Sequence, residues 1–234
     1  VLQVINHSRQ IMLPPDREQI QSLPREFRID GQRGIQRPIG MSGGRLEATT
    51  FIITGQSAQI QNMERAVQMS GKRVSQMVLQ SLASGLGVLT QEELELGTVV
   101  VDIGGGTTDI AIFTGGSIAF IASIPVAGML VTSDLSKLLK VTPEEAERLK
   151  VDYGASVSRL AGEKESVQVM QLGQTDARPM QRKVLCEIIE SRMKEVAVMV
   201  RQQIERSGLN GMLPGGVVLT GGGAAMSGIE LLFE

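Results

Sequence analysis

The stretch that decides the fold is VVVDIGGGTTDIAIF, residues 99–113. It begins with a short apolar run, continues through three consecutive glycines and ends in a second apolar run. Short apolar runs bounded by turn residues are typical of strands that are buried on both faces. We therefore predict two buried strands joined by a glycine turn, followed by a third strand over residues 117–124.

The glycines of this turn suit phosphate binding. Because glycine has no side chain to cover the backbone N–H groups, phosphate oxygens can approach the amides of Gly104, Gly105 and Gly106. An ordinary glycine-rich hairpin is the alternative interpretation. The pattern favours a nucleotide-binding turn over that alternative.

Three polar residues beside the glycines strengthen the same interpretation. Thr107 and Thr108 can add hydroxyl donors to phosphate. Asp102, at the end of the first strand, is placed to hold a hydrated Mg²⁺, an ion that keeps most of its water and takes one or two carboxylates. The alternative for Asp102 is that it caps the turn.

A second glycine turn follows another predicted strand, residues 216–220. Here Gly221, Gly222 and Gly223 would let a flat purine lie against the backbone. The chain contains neither a G-x-x-x-x-G-K-[ST] loop nor a G-x-G-x-x-G strand-to-helix turn. Two glycine turns without these motifs exclude the commonest other nucleotide-binding folds.

Three further residues are candidates for the site. Gly128 begins a helix predicted over residues 128–139, and the N-terminal amides of a helix favour an anion. Glu147 and Lys150 lie three residues apart on a helix that begins at Pro143, and they could reach a ribose and a base. The alternative for this pair is a solvated ion pair within the helix.

The remaining pattern predicts alternating strands and helices. Residues 1–45 are expected to form short strands and turns, 45–54 a longer strand, and 60–67 part of a helix. A strand and a helix are expected over residues 74–87, and a capping box of Thr90 and Glu93 predicts a short helix. Residues 155–178 are expected to be strands and loops, 179–207 the longest helix, and the last residues the start of another.

Composition places limits on function. The chain has 234 residues, 42% of them hydrophobic, and a net charge of −2, which provides no long-range field to attract nucleic acid or an anionic bilayer. The single Cys186 cannot form an internal disulfide, and we expect an inert, packed thiol in a reducing cytoplasm. His7 is the only histidine and cannot form a metal site alone. Since both ends fall within apolar patterns, we expect an internal piece of a longer protein.

Together these motifs resemble the second half of the superfamily of actin, sugar kinases and chaperone ATPases. Within it the chain resembles the FtsA family of bacterial cell-division proteins. The residues that carry this resemblance are ELG through Asp109 (95–109), TGG (114–116), VTSD (131–134), AE-x-x-KV-x-x-G (146–154), LPREFRIDGQ (23–32) and P-x-GMSG-x-RLE (38–47).

The resemblance implies an α/β fold: an actin-like (ribonuclease H-like) ATPase lobe with a small α+β extra subdomain. The extra subdomain would span residues 1–72, and 73–98 would be a return segment of the first lobe. Residues 99–154 and 208–234 would form the second large, nucleotide-binding lobe, with 155–207 as its small subdomain. Such folds have one phosphate turn per lobe, and residues 1–98 contain no second D-x-G turn, so we expect this chain to hold half of the site.

The resemblance also implies ATP and Mg²⁺ as cofactors and a part in cell division. Relatives would polymerise head to tail, bind the tubulin-like protein FtsZ and other divisome proteins, and hold the FtsZ ring to the inner face of the cytoplasmic membrane through a C-terminal helix not found in this chain. Nucleic acid is not an expected partner. Two alternatives stay open: another actin-like scaffold of the cytoskeleton or of pilus assembly, and a kinase of the same superfamily.

Gln80 is the one candidate for catalysis. It occupies a position where actins carry a glutamine that orients the attacking water. Because a neutral amide is a weak base, we expect at most a slow ATPase. The alternative is a helix side chain with no catalytic role.

Overall fold

The computed structural model describes residues 1–8 and 10–234. It divides into two compact units. The first comprises Val1–Gly97 and Ile112–Ala119, and the second comprises Thr98–Ala111 and Phe120–Glu234.

The first unit contains a three-stranded antiparallel sheet in the order β2-β1-β3. Its elements are α1 (Leu2–Ser8), β1 (Arg17–Ile29), β2 (Gln32–Ile35), β3 (Leu46–Gln56), α2 (Ser57–Met69), α3 (Gln80–Val88) and α4 (Gln91–Leu96). Asp30 and Gly31 both have positive φ and form a tight connection between β1 and β2. Phe27, Ile29 and Ile35 form the buried cluster of this sheet.

The expectation of only short strands and turns in residues 1–45 was wrong in two places. Residues Leu2–Ser8 form a helix, and its Ile5 packs against the apolar cluster of the sheet. The prediction failed because a short apolar run has no period that distinguishes a helix from a strand. Strand β1 is thirteen residues long and passes through Pro24. Its pairing with β3 shifts register between Pro24 and Glu26, and such an irregularity accommodates a residue that lacks an N–H donor.

Two predictions for residues 74–97 had different outcomes. The strand expected from Val74 does not form: residues 72–79 have no regular structure and pair with no strand of the described chain. Instead, the Leu79 amide donates to the side chain of Gln21. The capping box of α4 is confirmed, with Thr90 and Glu93 each accepting a hydrogen bond from the other's backbone amide.

The second sheet has the strand order β6-β5-β4-β9, and a separate hairpin pairs β7 with β8. The elements are β4 (Thr98–Ile103), β5 (Thr108–Thr114), β6 (Ser117–Ile124), α5 (Gly128–Leu139), α6 (Pro143–Tyr153), β7 (Ser166–Val169), β8 (Arg178–Gln181), α7 (Arg182–Arg206) and β9 (Val217–Thr220). Every residue of β4 is buried, as its continuous apolar run predicts.

The long helix α7 buries one stripe of apolar side chains within the second unit. The stripe consists of Leu185, Cys186, Ile189, Met193, Val196 and Val200. Cys186 is completely buried, and this burial raises the pKa of its thiol, in keeping with a packed side chain.

Two predicted helix limits were wrong. Helix α7 begins at Arg182 rather than near Pro179, because residues 178–181 pair with β7 as a strand. At the C-terminal end, Gly222–Ala225 and Ile229–Leu232 form short 3₁₀ turns rather than the start of an α-helix.

Candidate functional site

The parallel pairing of β4 with β9 brings the two glycine turns to one edge of the sheet. Val99 lies opposite Val217, and Asp102 lies opposite Thr220. Because parallel strands end at the same edge, the turn at residues 102–109 and the turn at residues 221–223 follow side by side. A Cβ atom added to Gly221 would clash with Asp102, so the two turns are in contact.

Three of the glycines lie so close to neighbouring atoms of the protein that a side chain would meet them. The Gly104 amide donates to the Thr107 carbonyl at 3.0 Å, and a Cβ on Gly104 would lie 3.1 Å from that same oxygen. Gly221 has a φ of +86°, and a side chain on Gly221 or Gly223 would clash with Ile103. Packing alone accounts for Gly221 and Gly223, and it leaves little room for a side chain at Gly104.

At two other positions, no neighbouring atom explains why the residue is glycine. A Cβ atom on Gly106 or Gly222 would meet nothing within 4 Å, and neither residue has a left-handed φ. Both are exposed at the shared edge. Nothing in the described chain excludes a side chain at these two positions, so the glycines leave open backbone to which a ligand could come close.

The remaining glycine of the first turn, Gly105, is also exposed. A Cβ atom on it would make only an ordinary contact, 3.7 Å from Cγ of Met129. The exposed part of the turn therefore runs from Gly105 to Thr107.

The two threonines of the first turn differ in what their hydroxyls can do. Thr108 is buried, and its Oγ1 donates to the Val126 carbonyl at 2.8 Å, so its single proton is used inside the protein. Thr107 is exposed and donates to Asp109 at 3.0 Å, a bond that a phosphate oxygen could replace. Of the two predicted donors, Thr107 is the accessible one.

The start of helix α5 supports the turn rather than presenting free amides. The Gly128 amide donates to the Gly104 carbonyl at 3.0 Å, and the Met129 amide donates to the Gly105 carbonyl at 2.8 Å. A Cβ on Gly128 would lie 3.3 Å from the Gly104 oxygen. Both amides already have acceptors within the protein, and their binding of an anion stays a prediction.

Glu147 and Lys150 form the ion pair that was the alternative to ligand binding. The Lys150 ammonium donates to Glu147 at 2.7 Å, to Thr132 Oγ1 at 2.9 Å and to the Gly128 carbonyl at 3.2 Å. Desolvation alone would raise the pKa of Glu147, but hydrogen bonds from Lys150 and Thr132 lower it below its ordinary value. All three ammonium protons are used, so the cluster ties α6 to the first turn of α5.

Thr132, which lies in the VTSD stretch at residues 131–134, also belongs to this cluster, although no role in the site was predicted for it from the sequence. Its position four residues after Gly128 puts it on the same face of α5, which is the signal that could have identified it. Contacts of Glu147 and Lys150 with a ribose or a base stay a prediction.

Asp102 is 7% exposed and is the penultimate residue of β4, the strand that enters the first turn. Among residues 1–8 and 10–234, no group of three or more histidine, cysteine or carboxylate side chains is placed to hold a metal ion. A hydrated Mg²⁺ needs only one or two carboxylates, so the single Asp102 fits that ion better than it fits a fully protein-ligated metal.

Gln80 is the first residue of α3, in the first unit. Its predicted role in orienting water stays a prediction. In the part of the chain that the structure covers, no helix is both long and apolar enough to cross a membrane.

The comparisons with solved structures identify the fold. The chain superimposes on MreB5 of Spiroplasma citri bound to ADP with a TM-score of 0.63 and 21% identity, covering 76% of this chain and 58% of that one. It superimposes on a chain of the PilM-PilN type IV pilus biogenesis complex with a TM-score of 0.66 and 16% identity, covering 97% and 56%. The predicted actin-like α/β fold is confirmed.

The comparisons with sequences identify the family. The family model "Cell division protein FtsA" matches residues 99–234, and the model "SHS2 domain inserted in FTSA" matches residues 1–54. Cell division protein FtsA of Pseudomonas aeruginosa is 40% identical over 231 residues, which are 99% of this chain and 55% of that protein. The Escherichia coli K12 protein is 37% identical over 97% of this chain and 56% of its own length. The chain thus spans about half the length of these relatives, and it belongs to the FtsA family of cell-division proteins.

Proposed function

We propose that this chain is part of an ATP-binding, actin-like cell-division protein that polymerises and tethers the FtsZ ring to the cytoplasmic membrane. The observation that carries the nucleotide part is the pair of exposed glycines, Gly106 and Gly222, at the common edge of β4 and β9. Solved chains of the same fold are described as bound to ADP and to AMPPNP, which supports a nucleotide at this edge.

The residues of the proposed site would contact different parts of the nucleotide and its metal ion. Backbone amides around Gly105 and Gly106, with the Thr107 hydroxyl, would bind phosphate oxygens, and the exposed 221–223 turn would receive the base. Asp102 would hold Mg²⁺ through water, and the ion would supply neutralisation of phosphate charge. Gln80, as a neutral amide, would orient a water rather than remove its proton, so hydrolysis would be slow at most.

Membership of the FtsA family supports the adaptor role over a sugar kinase or a pilus scaffold. The partners we propose are FtsZ, further copies of the same protein in a head-to-tail filament, and other divisome proteins. The proposed location is the inner face of the cell membrane at the division site. The extra subdomain, residues 1–72, and the small subdomain, residues 155–207, are the parts that we propose for these contacts.

The nucleotide site is tested by removing the Asp102 charge in the full-length protein. We expect Asp102→Asn to weaken Mg·ATP binding about tenfold to a hundredfold, the effect of losing one charged contact, as measured by titration calorimetry. Asp176→Asn, in an exposed loop of the same unit, is the matched control and should bind normally. Equal affinity in the Asp102 variant would remove Asp102 from the site.

The adaptor role is tested separately by sedimentation. Full-length protein should pellet with FtsZ polymers and recruit them to lipid vesicles when Mg·ATP is present. A protein that left FtsZ in the supernatant while it phosphorylated a sugar would be a kinase, and the proposal would fail.

A further inference from the structure

The loop between β2 and β3 holds two apolar side chains out in solvent. Strands β2 and β3 lie on opposite sides of β1, so residues 36–45, which we call the crossover loop, must pass over the end of β1. Ile39 is 84% exposed and Met41 is 47% exposed. The loop thus presents an exposed apolar tip, formed by Ile39 and Met41, at one end of the first unit's sheet.

The tip is held in place by a defined turn. The Met41 amide donates to the Pro38 carbonyl at 3.2 Å, and Gly40 has a φ of +87°, the conformation of a type II turn with Ile39 at its first central position. Pro38 is buried at the base of this turn. Ile39 is therefore directed outward by the backbone geometry.

The other side of the loop is fixed to the end of β1. The Asp30 carboxylate accepts hydrogen bonds from the Gly44 amide at 3.0 Å and the Arg45 amide at 2.8 Å. Gly43 packs against Ile29 so closely that a side chain would clash with it. These contacts hold the second half of the loop against the end of β1.

The loop and the strand before it are basic. From Gly31 to Arg45 the sequence contains Arg33, Arg37 and Arg45 and no acidic residue. Arg45 pairs with Glu47 at 2.7 Å, whereas in the region the structure describes neither Arg33 nor Arg37 forms an ion pair. Two exposed arginines are thus free to meet an external anion.

We propose that the crossover loop contacts an anionic lipid surface, with Ile39 and Met41 entering the region below the headgroups and Arg33 and Arg37 meeting lipid phosphates. Exposed apolar side chains flanked by basic ones are the combination that binds at a membrane interface. An acidic protein segment would satisfy the arginines but would cover Ile39 and Met41 only if it also carried apolar side chains, whereas an anionic bilayer supplies both kinds of group.

This inference rests on the proposed membrane location and adds a second contact to it. One or two inserted side chains give only weak, reversible binding, so the loop would select which face of the first unit meets the bilayer rather than anchor the protein alone.

The position of the loop is tested by fluorescence in the full-length protein. A single new tryptophan is introduced by Ile39→Trp, and in a second protein by Met69→Trp, a matched control because Met69 is 83% exposed on α2. We expect brominated acyl chains in vesicles with about one third phosphatidylglycerol to quench the added emission of the Ile39 variant and not that of the control.

The contribution to binding is tested by pelleting with the same vesicles. We expect Ile39→Asp, or the double change Arg33→Gln with Arg37→Gln, to lower the vesicle-bound fraction about threefold to tenfold at limiting lipid, and Met69→Asp to have no effect. Neutral phosphatidylcholine vesicles should abolish the difference between the loop variants and the parent protein.

The outcomes separate the two proposals. If the protein pellets with vesicles but the tryptophan at position 39 stays unquenched, the loop inference fails and the membrane location stands. If an acidic polypeptide, and not lipid, shifts the emission of that tryptophan, the partner is a protein and the lipid assignment is wrong. If the protein does not pellet with vesicles at all, both proposals fail.

Discussion

At the scale of single residues, the glycines of the two turns differ in whether the protein has room for a side chain at their position. Gly221 and Gly223 are required because a side chain would clash with Ile103, whereas Gly106 and Gly222 face open space. The sequence shows two runs of three glycines and cannot distinguish these cases, because the neighbour that excludes a side chain comes from a strand more than a hundred residues away.

This difference predicts that substitutions at the open glycines weaken nucleotide binding, whereas substitutions at the packed glycines lower stability. We expect Gly106→Ala and Gly222→Ala in the full-length protein to change the free energy of unfolding by no more than about 0.5 kcal/mol and to weaken Mg·ATP binding about tenfold. Gly221→Ala should instead cost about 2 kcal/mol or more of stability, because the new side chain meets backbone at a positive φ.

Thermal melting and calorimetry on the same samples check this prediction. Gly211→Ala is the matched control, since a Cβ there also meets nothing within 4 Å and its φ is not left-handed. If Gly106→Ala and Gly222→Ala bound ATP as well as this control, the ligand-based explanation of these glycines would be wrong.

At the scale of elements, the sequence predicted those helices whose signals are local. Helix α5 spans Gly128–Leu139, as predicted. Helix α6 begins at Pro143, as predicted, because a proline at the first position and a Thr142 cap act within one turn. A strand predicted from residue 74 is absent, whereas a strand forms at residues 178–181, where a helix was predicted from residue 179. A strand exists only where a partner is present, and residues 178–181 have β7 while residues 72–79 have none among the strands described.

Glu190 on α7 provides an element-scale prediction with a pH dependence. Its carboxylate accepts from Lys194 at 2.7 Å and from the Ser158 amide at 2.8 Å, which fastens the 3₁₀ turn Ser158–Leu160 to the helix. The hydrogen bond from Lys194, followed by those from Ser158, lowers the pKa of Glu190 from 4.5 to about 2.

A carboxylate with a lowered pKa stabilises the fold above its unfolded pKa and loses that effect as the pH falls. We therefore expect Glu190 to contribute up to about 2 kcal/mol at neutral pH and to lose it progressively as the pH falls from 4.5 towards 2. Urea unfolding of Glu190→Gln should show a lower stability at pH 7 and a shallower loss in acid. Glu187→Gln, an exposed carboxylate on the same helix, should follow the parent; an identical acid slope in both variants would contradict the assignment.

At the scale of the whole molecule, one phosphate turn in 234 residues predicts an incomplete site. We expect the chain by itself to bind Mg·ATP at least about a hundredfold more weakly than the full-length protein, because by this prediction it would supply only half of the phosphate contacts. Calorimetry on the two proteins checks this, with a cooperative thermal transition as evidence that the chain is folded. Equal affinities would show that the turn at residues 102–109 suffices.

The sequence by itself determined the fold class and the family, because buried strands, glycine turns and helix caps are local patterns that a linear chain displays directly. It also located Asp102 and both glycine turns. Only the tertiary structure decided where these residues lie relative to one another, since the parallel register of β4 and β9 places the turns side by side. The same structure gave Gly128, Thr108 and Lys150 partners inside the protein, because a donor's acceptor comes from whichever element packs against it, and that packing is not visible along the chain.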